Sequence, residues 1–350
     1  MTRSVRFALP AVLISVAVTA CSTGSAGTGS SQAAATGEAS VAADGPLAGK
    51  KVLYVDAAPG NALLDGLAQG LAIDLAAQGA QVARVFQLNA QNQIDLAAAN
   101  QRINEGIAQH VDAIVIFPLD ANAVGPGVAA AKEAGIPVFI FQDISSIPAT
   151  GKVAFPDEER GRAAGEALAT AVGGHGTATV LSGLPTDNIE NAVKGGIAGL
   201  QAGGMTLVGD PNNQRNLKDD APGAQAIAQA IFQSHPDLTA LLVYNAASAT
   251  GAIAAAKQAG LEGKVKIGTM AGEDTNIAQL QDGTLAVAYD LNGLAYGSVM
   301  ADLVTRSLTG QVADGTVVPA PTGDIYTPAN AKDYKPWSER VHYVDIPSTF

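Results

Sequence analysis

Of 350 residues, 47% are hydrophobic and 15% charged, and 32 acidic residues against 20 basic ones leave a formal charge of −12. That balance excludes nucleic acid and anionic lipid surfaces as electrostatic partners, and one cysteine excludes a disulfide framework within the chain. The apolar content suffices for a core without staples, and a chain of this length predicts two domains rather than one.

Taken in chain order, Arg3 and Arg6 precede an almost wholly apolar run from Phe7 to Ala20 that ends in small residues, the layout of a secretory signal peptide over residues 1–20. The run is shorter than the roughly 20 residues of a membrane span. Its end, VTAC, looks like a bacterial lipobox, and that resemblance implies lipidation at Cys21, which becomes the mature N-terminus. Each buried CH₂ of such a lipid adds about 0.8 kcal/mol of membrane affinity, so the expectation is an extracytoplasmic protein anchored to the membrane, at the cell surface or in a periplasm. Ser22 to Asp44 is rich in Ser, Thr, Gly and Ala and has almost no large apolar residue. It cannot fold by burial, so residues 21–46 read as a flexible tether to a body that starts near Leu47.

From Lys51 the chain alternates short β-branched runs with Ala-rich stretches of helical period. Strands are predicted at 51–57, 80–86, 112–117 and 136–142, with helices over Leu63 to Gln78 and Ile94 to Gln109. The pattern restarts with strands near 177–182, 204–208, 239–244 and 264–269, and helices near 157–172, 187–202, 221–234 and 247–259. The octamer AAAKEAGI (129–136) recurs as AAAKQAGL (254–261), each a helix end whose Gly135 or Gly260 can take a left-handed cap. The fold class is α/β: two Rossmann-like, doubly wound domains, each built on a parallel sheet covered on both faces. In such sheets ligands bind beyond the carboxyl ends of the strands. There stand Asp56, Pro118 with Asp120, Gln142 with Asp143, Asn188 and Asn191, Asn245, Glu273 with Asp274, and Asp290.

Four blocks in order, residues 114–143, 155–168 (FPDEERGRAAGEAL), 235–260 and 280–290 (LQDGTLAVAYD), resemble the ribose-binding-protein-like solute receptors of ABC importers, the type I periplasmic binding proteins. That resemblance spans roughly Lys51 to Pro319. It implies two lobes joined by a three-strand hinge and closing on a sugar or similar small polar solute. Crossovers are expected near Ser145, Leu291 and Thr322, giving one lobe from 47–145 plus about 291–320 and another from 146–290 plus about 321–350. It also implies a monomer without cofactor or metal, not an enzyme, whose partners are a permease and its ATPase subunit. The expected ligand-binding residues are Asp56, Asn61, Gln142, Asp143, Asp157, Asn188, Asn191, Asn245 and Asp290.

Departures from the family pattern leave the solute open. The first loop, DAAPGNALLDG (56–66), has no aromatic ring, Asn191 stands where an arginine is usual, and GTMAGED (268–274) displaces an acid. A polyol, a small linear solute or a cationic ligand remains an alternative. Phe141, Phe155 and Tyr244 are the rings nearest the expected rim and read as core packing. A ligand sensor reporting to a membrane kinase would have the same sequence features. A sugar hydrolase is disfavoured because no nucleophile–base pair emerges. Met270 fills the place a nucleophilic serine would need in GTMAG, and adjacent acids such as Asp219 with Asp220 read as a solvated helix start. His110, His175, His235 and His342 are scattered without metal-ligand spacing. The tail from Tyr326, with Trp337, is expected on the surface of the second domain.

Overall fold

The computed structural model describes residues 40–350 except Ser145. The expected signal peptide, Cys21 with the lipobox expected there, and most of the expected tether lie outside the described residues.

The first half of the body runs β1 (Lys51–Asp56), α1 (Ala62–Ala77), β2 (Gln81–Phe86), α2 (Ala98–Ala108), β3 (Ala113–Ile116), α3 (Ala121–Glu133), β4 (Val138–Phe141) and β5 (Gly151–Ala154). The second half runs α4 (Asp157–Val172), β6 (Thr177–Leu181), α5 (Asp187–Ala202), β7 (Thr206–Leu207), α6 (Ala221–Ser234), β8 (Leu238–Val243), α7 (Ala246–Gln258), β9 (Lys266–Gly272), α8 (Ile277–Gln281) and β10 (Val287–Asp290). α9 (Gly293–Leu308), β11 (Thr316–Pro319), β12 (Asp324–Tyr326) and α10 (Trp337–Arg340) complete the chain. Central strands such as AIVI (β3) and VFIF (β4) are buried at every position, as strands covered on both faces must be.

Two six-stranded sheets result, ordered β11-β5-β4-β3-β1-β2 and β12-β10-β9-β8-β6-β7. Every pairing is parallel except β10 with β12. The repeated octamer falls at equivalent places: it closes α3 before β4 and α7 before β9, each the third strand of its sheet. Gly135 and Gly260 have φ of 74° and 66°, the left-handed conformation in which a glycine ends a helix at little cost.

The chain passes between sheets after β5, after β10 and after β11. The first passage lies beyond Ala154, about ten residues later than expected, because GKVA forms a fifth strand of the first sheet; Ser145 itself is outside the described residues. Lys152 hides this strand in the sequence. Its buried amine donates to Ile144 O at 2.7 Å and lies 3.5 Å from the Asp143 carboxylate. The tail also departs from expectation. It begins on the second lobe but ends on the first, where Arg84 N donates to Pro347 O at 2.8 Å.

Each lobe sets one native helix against one that arrives through the hinge: α1 against α9, and α5 against α4. Glycines let these backbones touch. A Cβ on Gly161 of α4 would stand 1.9 Å from Ala192 O of α5, and one on Gly70 of α1 would stand 2.1 Å from Leu294 O of α9. Aromatic rings line the passage between lobes, with Phe155 6.2 Å from Phe141 and 4.8 Å from Tyr296.

Candidate functional site

All three passages leave the carboxyl end of a strand and are only a few residues long. They therefore turn the carboxyl ends of the two sheets toward each other, and the loops after β1, β3 and β4 confront those after β6, β8 and β9. The edges far from the hinge are β2 and β7.

Three of the nine expected ligand residues are buried and already engaged by the protein. Asp56 is 0% exposed, accepting from Arg84 Nε and Nη2 at 2.8 and 2.6 Å and from Ala57 N at 2.7 Å. Arg84 also reaches Asp65 at 2.8 Å. Desolvation pushes the Asp56 carboxyl up to about 6 against the pull of Arg84. Asp157, at the start of α4, pairs with Arg160 Nε at 2.9 Å, and Arg160 Nη1 donates to Met270 O at 3.0 Å. Burial raises this carboxyl too. Asp290, 2% exposed, accepts from Trp337 Nε1 at 2.9 Å, Arg340 Nη2 at 2.6 Å and Asn292 N at 3.1 Å. A buried carboxylate is tolerated only when paired and bonded. These three hold the strand ends in place instead of presenting an open acceptor.

The remaining six are at least partly accessible. Asn61 caps α1, its side chain accepting from Leu64 N at 3.1 Å. Gln142 has φ of 77°, unusual for a residue with a Cβ, while its backbone N donates to Val153 O at 2.8 Å. Such strain persists where the surroundings impose it, and it concentrates at functional positions. Exposed Asp143 lies 3.5 Å from Lys152 Nζ. On the other lobe Asn188 accepts from Thr186 Oγ1 at 2.6 Å, and Asn191 is exposed on the same helix, α5. Asn245 caps α7 through Ser248 N at 2.9 Å and donates to Asp219 Oδ1 at 2.8 Å.

Sequence reasoning missed several members. Of the Asp219–Asp220 pair only Asp220 caps α6, at 2.6 Å from Gly223 N. Asp219 instead takes φ of 56° and accepts from both Asn245 and the Tyr244 hydroxyl. Arg215, on the loop after β7, ties Glu190 of α5 at 2.7 Å to Gly183 O at 3.2 Å, so a guanidinium reaches the start of α5 from a different loop than position 191. Its isolation as the one arginine of an otherwise amide- and acid-rich loop was the available signal. Phe141 is 0% and Tyr244 5% exposed, so both are core, while Phe117, half-buried at the end of β3, was overlooked.

Glu273, after β9, is largely buried. Desolvation, with Asp274 and Asp219 nearby, raises its carboxyl from 4.5 to about 6. Between pH ~4 and ~6 the folded state then binds more protons than the unfolded state, so stability falls as pH rises through that window. Glu273→Gln should stabilise the fold by about 1–2 kcal/mol at pH 7 and leave it unchanged near pH 4. Urea titrations at the two pH values measure this.

The family model described as "Periplasmic binding protein domain" matches residues 64–311. The chain belongs to this family. Among curated relatives it is 29% identical over 188 residues to a D-ribose/D-allose-binding protein of Pseudomonas aeruginosa, an overlap covering 50% of this chain and 56% of that one. It is 26% identical over 234 residues to a xylitol-binding protein of Mycolicibacterium smegmatis, covering 66% of each. These matches thus span less than two thirds of the relatives' lengths. In three dimensions it superposes on a periplasmic ribose ABC transporter structure from Conexibacter woesei with a TM-score of 0.73 and 20% identity, covering 83% of this chain and 95% of that one. A sugar-binding protein from Bacillus halodurans gives 0.72 with 16% identity, covering 82% and 100%. The periplasmic binding protein described above therefore has the two-lobed type I fold.

Proposed function

We propose that this protein is a lipid-anchored, extracytoplasmic solute receptor of an ABC importer that captures a sugar or polyol between its lobes and delivers it to a permease. The observation that carries this reading is the facing of two rows of strand ends that present amides and carboxylates: Asn61, Gln142 and Asp143 on one lobe, Asn188, Asn191, Asn245 and Asp219 on the other. Amide side chains both donate and accept, and carboxylates accept from two directions, so together they match vicinal hydroxyls. A solute touching both rows favours the closed arrangement by the difference in its affinity for the two states. Asp56, Asp157 and Asp290 act as the frame that aims these groups. Relatives whose names specify ribose, allose, xylose and xylitol support a polyhydroxylated ligand. The accessible acids Asp143, Asp219 and Asp274 disfavour an anionic one.

Gln142 separates binding from folding. Gln142→Gly removes both the amide and the positive-φ strain, so it should melt no lower than the parent yet bind about fivefold more weakly, one lost hydrogen bond being worth about 1 kcal/mol. Calorimetric titration of ribose, allose, xylose and xylitol into both proteins tests the site. Unchanged affinity for whichever solute binds would remove Gln142 from it.

A further inference from the structure

The residues after β12 make a connected series of contacts that begins on one lobe and ends on the other. Tyr334 packs edge-on against Tyr326 of β12, ring centres 5.0 Å apart, and its hydroxyl donates to Asp274 of the second lobe. One turn on, Trp337 and Arg340 both bind Asp290, the last residue before the second passage, and the Arg340 guanidinium sits 5.1 Å from the centre of the Tyr334 ring. Trp337 also closes on α1: a Cβ on Gly66 would meet its ring at 3.0 Å. The chain then leaves for the first lobe. Val344 exchanges two hydrogen bonds with the side chain of Gln69 on α1, at 2.8 and 2.9 Å, and Pro347 O accepts from Arg84 N on β2. Phe350 ends 5.5 Å from Lys51 Nζ on β1.

A segment fastened at both ends to bodies that move relative to each other must stretch, slide or limit that movement. Here the middle is fixed as well, at the hinge carboxylate itself. We infer that residues 327–350 are a strap that restrains the angle between the lobes independently of any solute. Opening beyond the slack of this segment would have to break its holds on the first lobe, Gln69–Val344 and Arg84–Pro347, or those on the second, Tyr334–Asp274 and the bonds of Trp337 and Arg340 to Asp290. Restricting the open states lowers the conformational cost of reaching the closed one, so the strap would also set how tightly a solute is held. That last consequence rests on the receptor reading; the restraint does not.

The test therefore uses no ligand. Spin labels at Ala129→Cys on α3 and Ala226→Cys on α6, both exposed, report the lobe-to-lobe distance in a Cys21→Ser background. Truncation after Tyr343 should broaden the distance distribution and shift it to larger values. Gln69→Leu combined with Tyr334→Phe cuts the Gln69–Val344 and Tyr334–Asp274 hydrogen bonds, leaves Pro347 on Arg84 and Trp337 and Arg340 on Asp290, and should give a smaller shift in the same direction. Should the truncated chain fail to fold, the double variant decides. Distributions in the folded variants that superpose on that of the parent would overturn the strap.

Discussion

Gly161→Val is expected to abolish cooperative folding of the second lobe. α4 and α5 meet backbone to backbone along Gly161, Gly165, Gly195 and Gly199, where an added Cβ would fall 1.9 to 2.5 Å from a carbonyl oxygen of the facing helix. Real Cβ contacts essentially never fall below 3.0 Å, and a carbonyl oxygen within a helix cannot rotate aside as a side chain can. The helices would have to separate by an ångström or more, opening the layer that Ala164, Leu168, Ala192 and Leu200 fill. Overpacking a deformable core costs about 1–3 kcal/mol; with rigid backbone on both sides we expect about 4 kcal/mol or more, a value reserved for a few mechanisms. Because α4 enters the lobe through the hinge, its detachment would also free the first passage. Gly125 of α3 provides the control, since beyond its chain neighbours no atom lies within 4 Å of its would-be Cβ. Pro126, next in the helix, crowds a Cβ on the residue before it, so the propensity gain is offset and Gly125→Ala should change stability by less than about 1 kcal/mol. Urea unfolding followed by circular dichroism distinguishes the two.

Trp337→Ala should cost about 3–5 kcal/mol, the range for truncating a buried large aromatic. The indole is 2% exposed and lies between α1 and the hinge, so few side chains can collapse into the space. Its N–H also supplies one of the bonds that offset the burial of Asp290. Trp337→Phe keeps most of the packing and removes that donor, leaving Arg340 and Asn292 on the carboxylate, and should cost about 1–3 kcal/mol. A Trp337→Ala variant as stable as the parent in a urea titration would mean that the tail contributes nothing to the hinge.

How much of this was legible in the sequence depends on the range of the interaction. β1, β3 and β4 were readable because a strand buried on both faces must be largely apolar, β2 at the sheet edge because Val82, Val85 and Phe86 keep a β-forming run around Arg84, and the octamer repeat marked two lobes because equivalent helix ends need equivalent caps. β5 was not, since GKVA has no apolar run and its lysine is buried only because the preceding loop turns the Ile144 carbonyl and the Asp143 carboxylate toward its amine. The strand-end rule found Asp56 and Asp290 as positions but not their direction. What turns them inward is Arg84, 28 residues on from Asp56, and Trp337 and Arg340, 47 and 50 residues on from Asp290. No local pattern encodes such pairings. Asp219 was hidden for the opposite reason: next to Asp220 it reads as half of a helix start, and only the backbone turn to positive φ sends it to Tyr244 and Asn245.

The central claim, a cleft that takes a neutral polyhydroxylated solute, is tested most directly by a thermal-shift screen of the protein against pentoses, hexoses, pentitols and small amines. A solute that binds only the folded state adds about 2.7 kcal/mol of stability at a hundredfold excess over Kd. The expected result is a raised Tm with one sugar or polyol class. A raised Tm with amines alone would contradict it and assign selection to Asp219, Glu273 and Asp274.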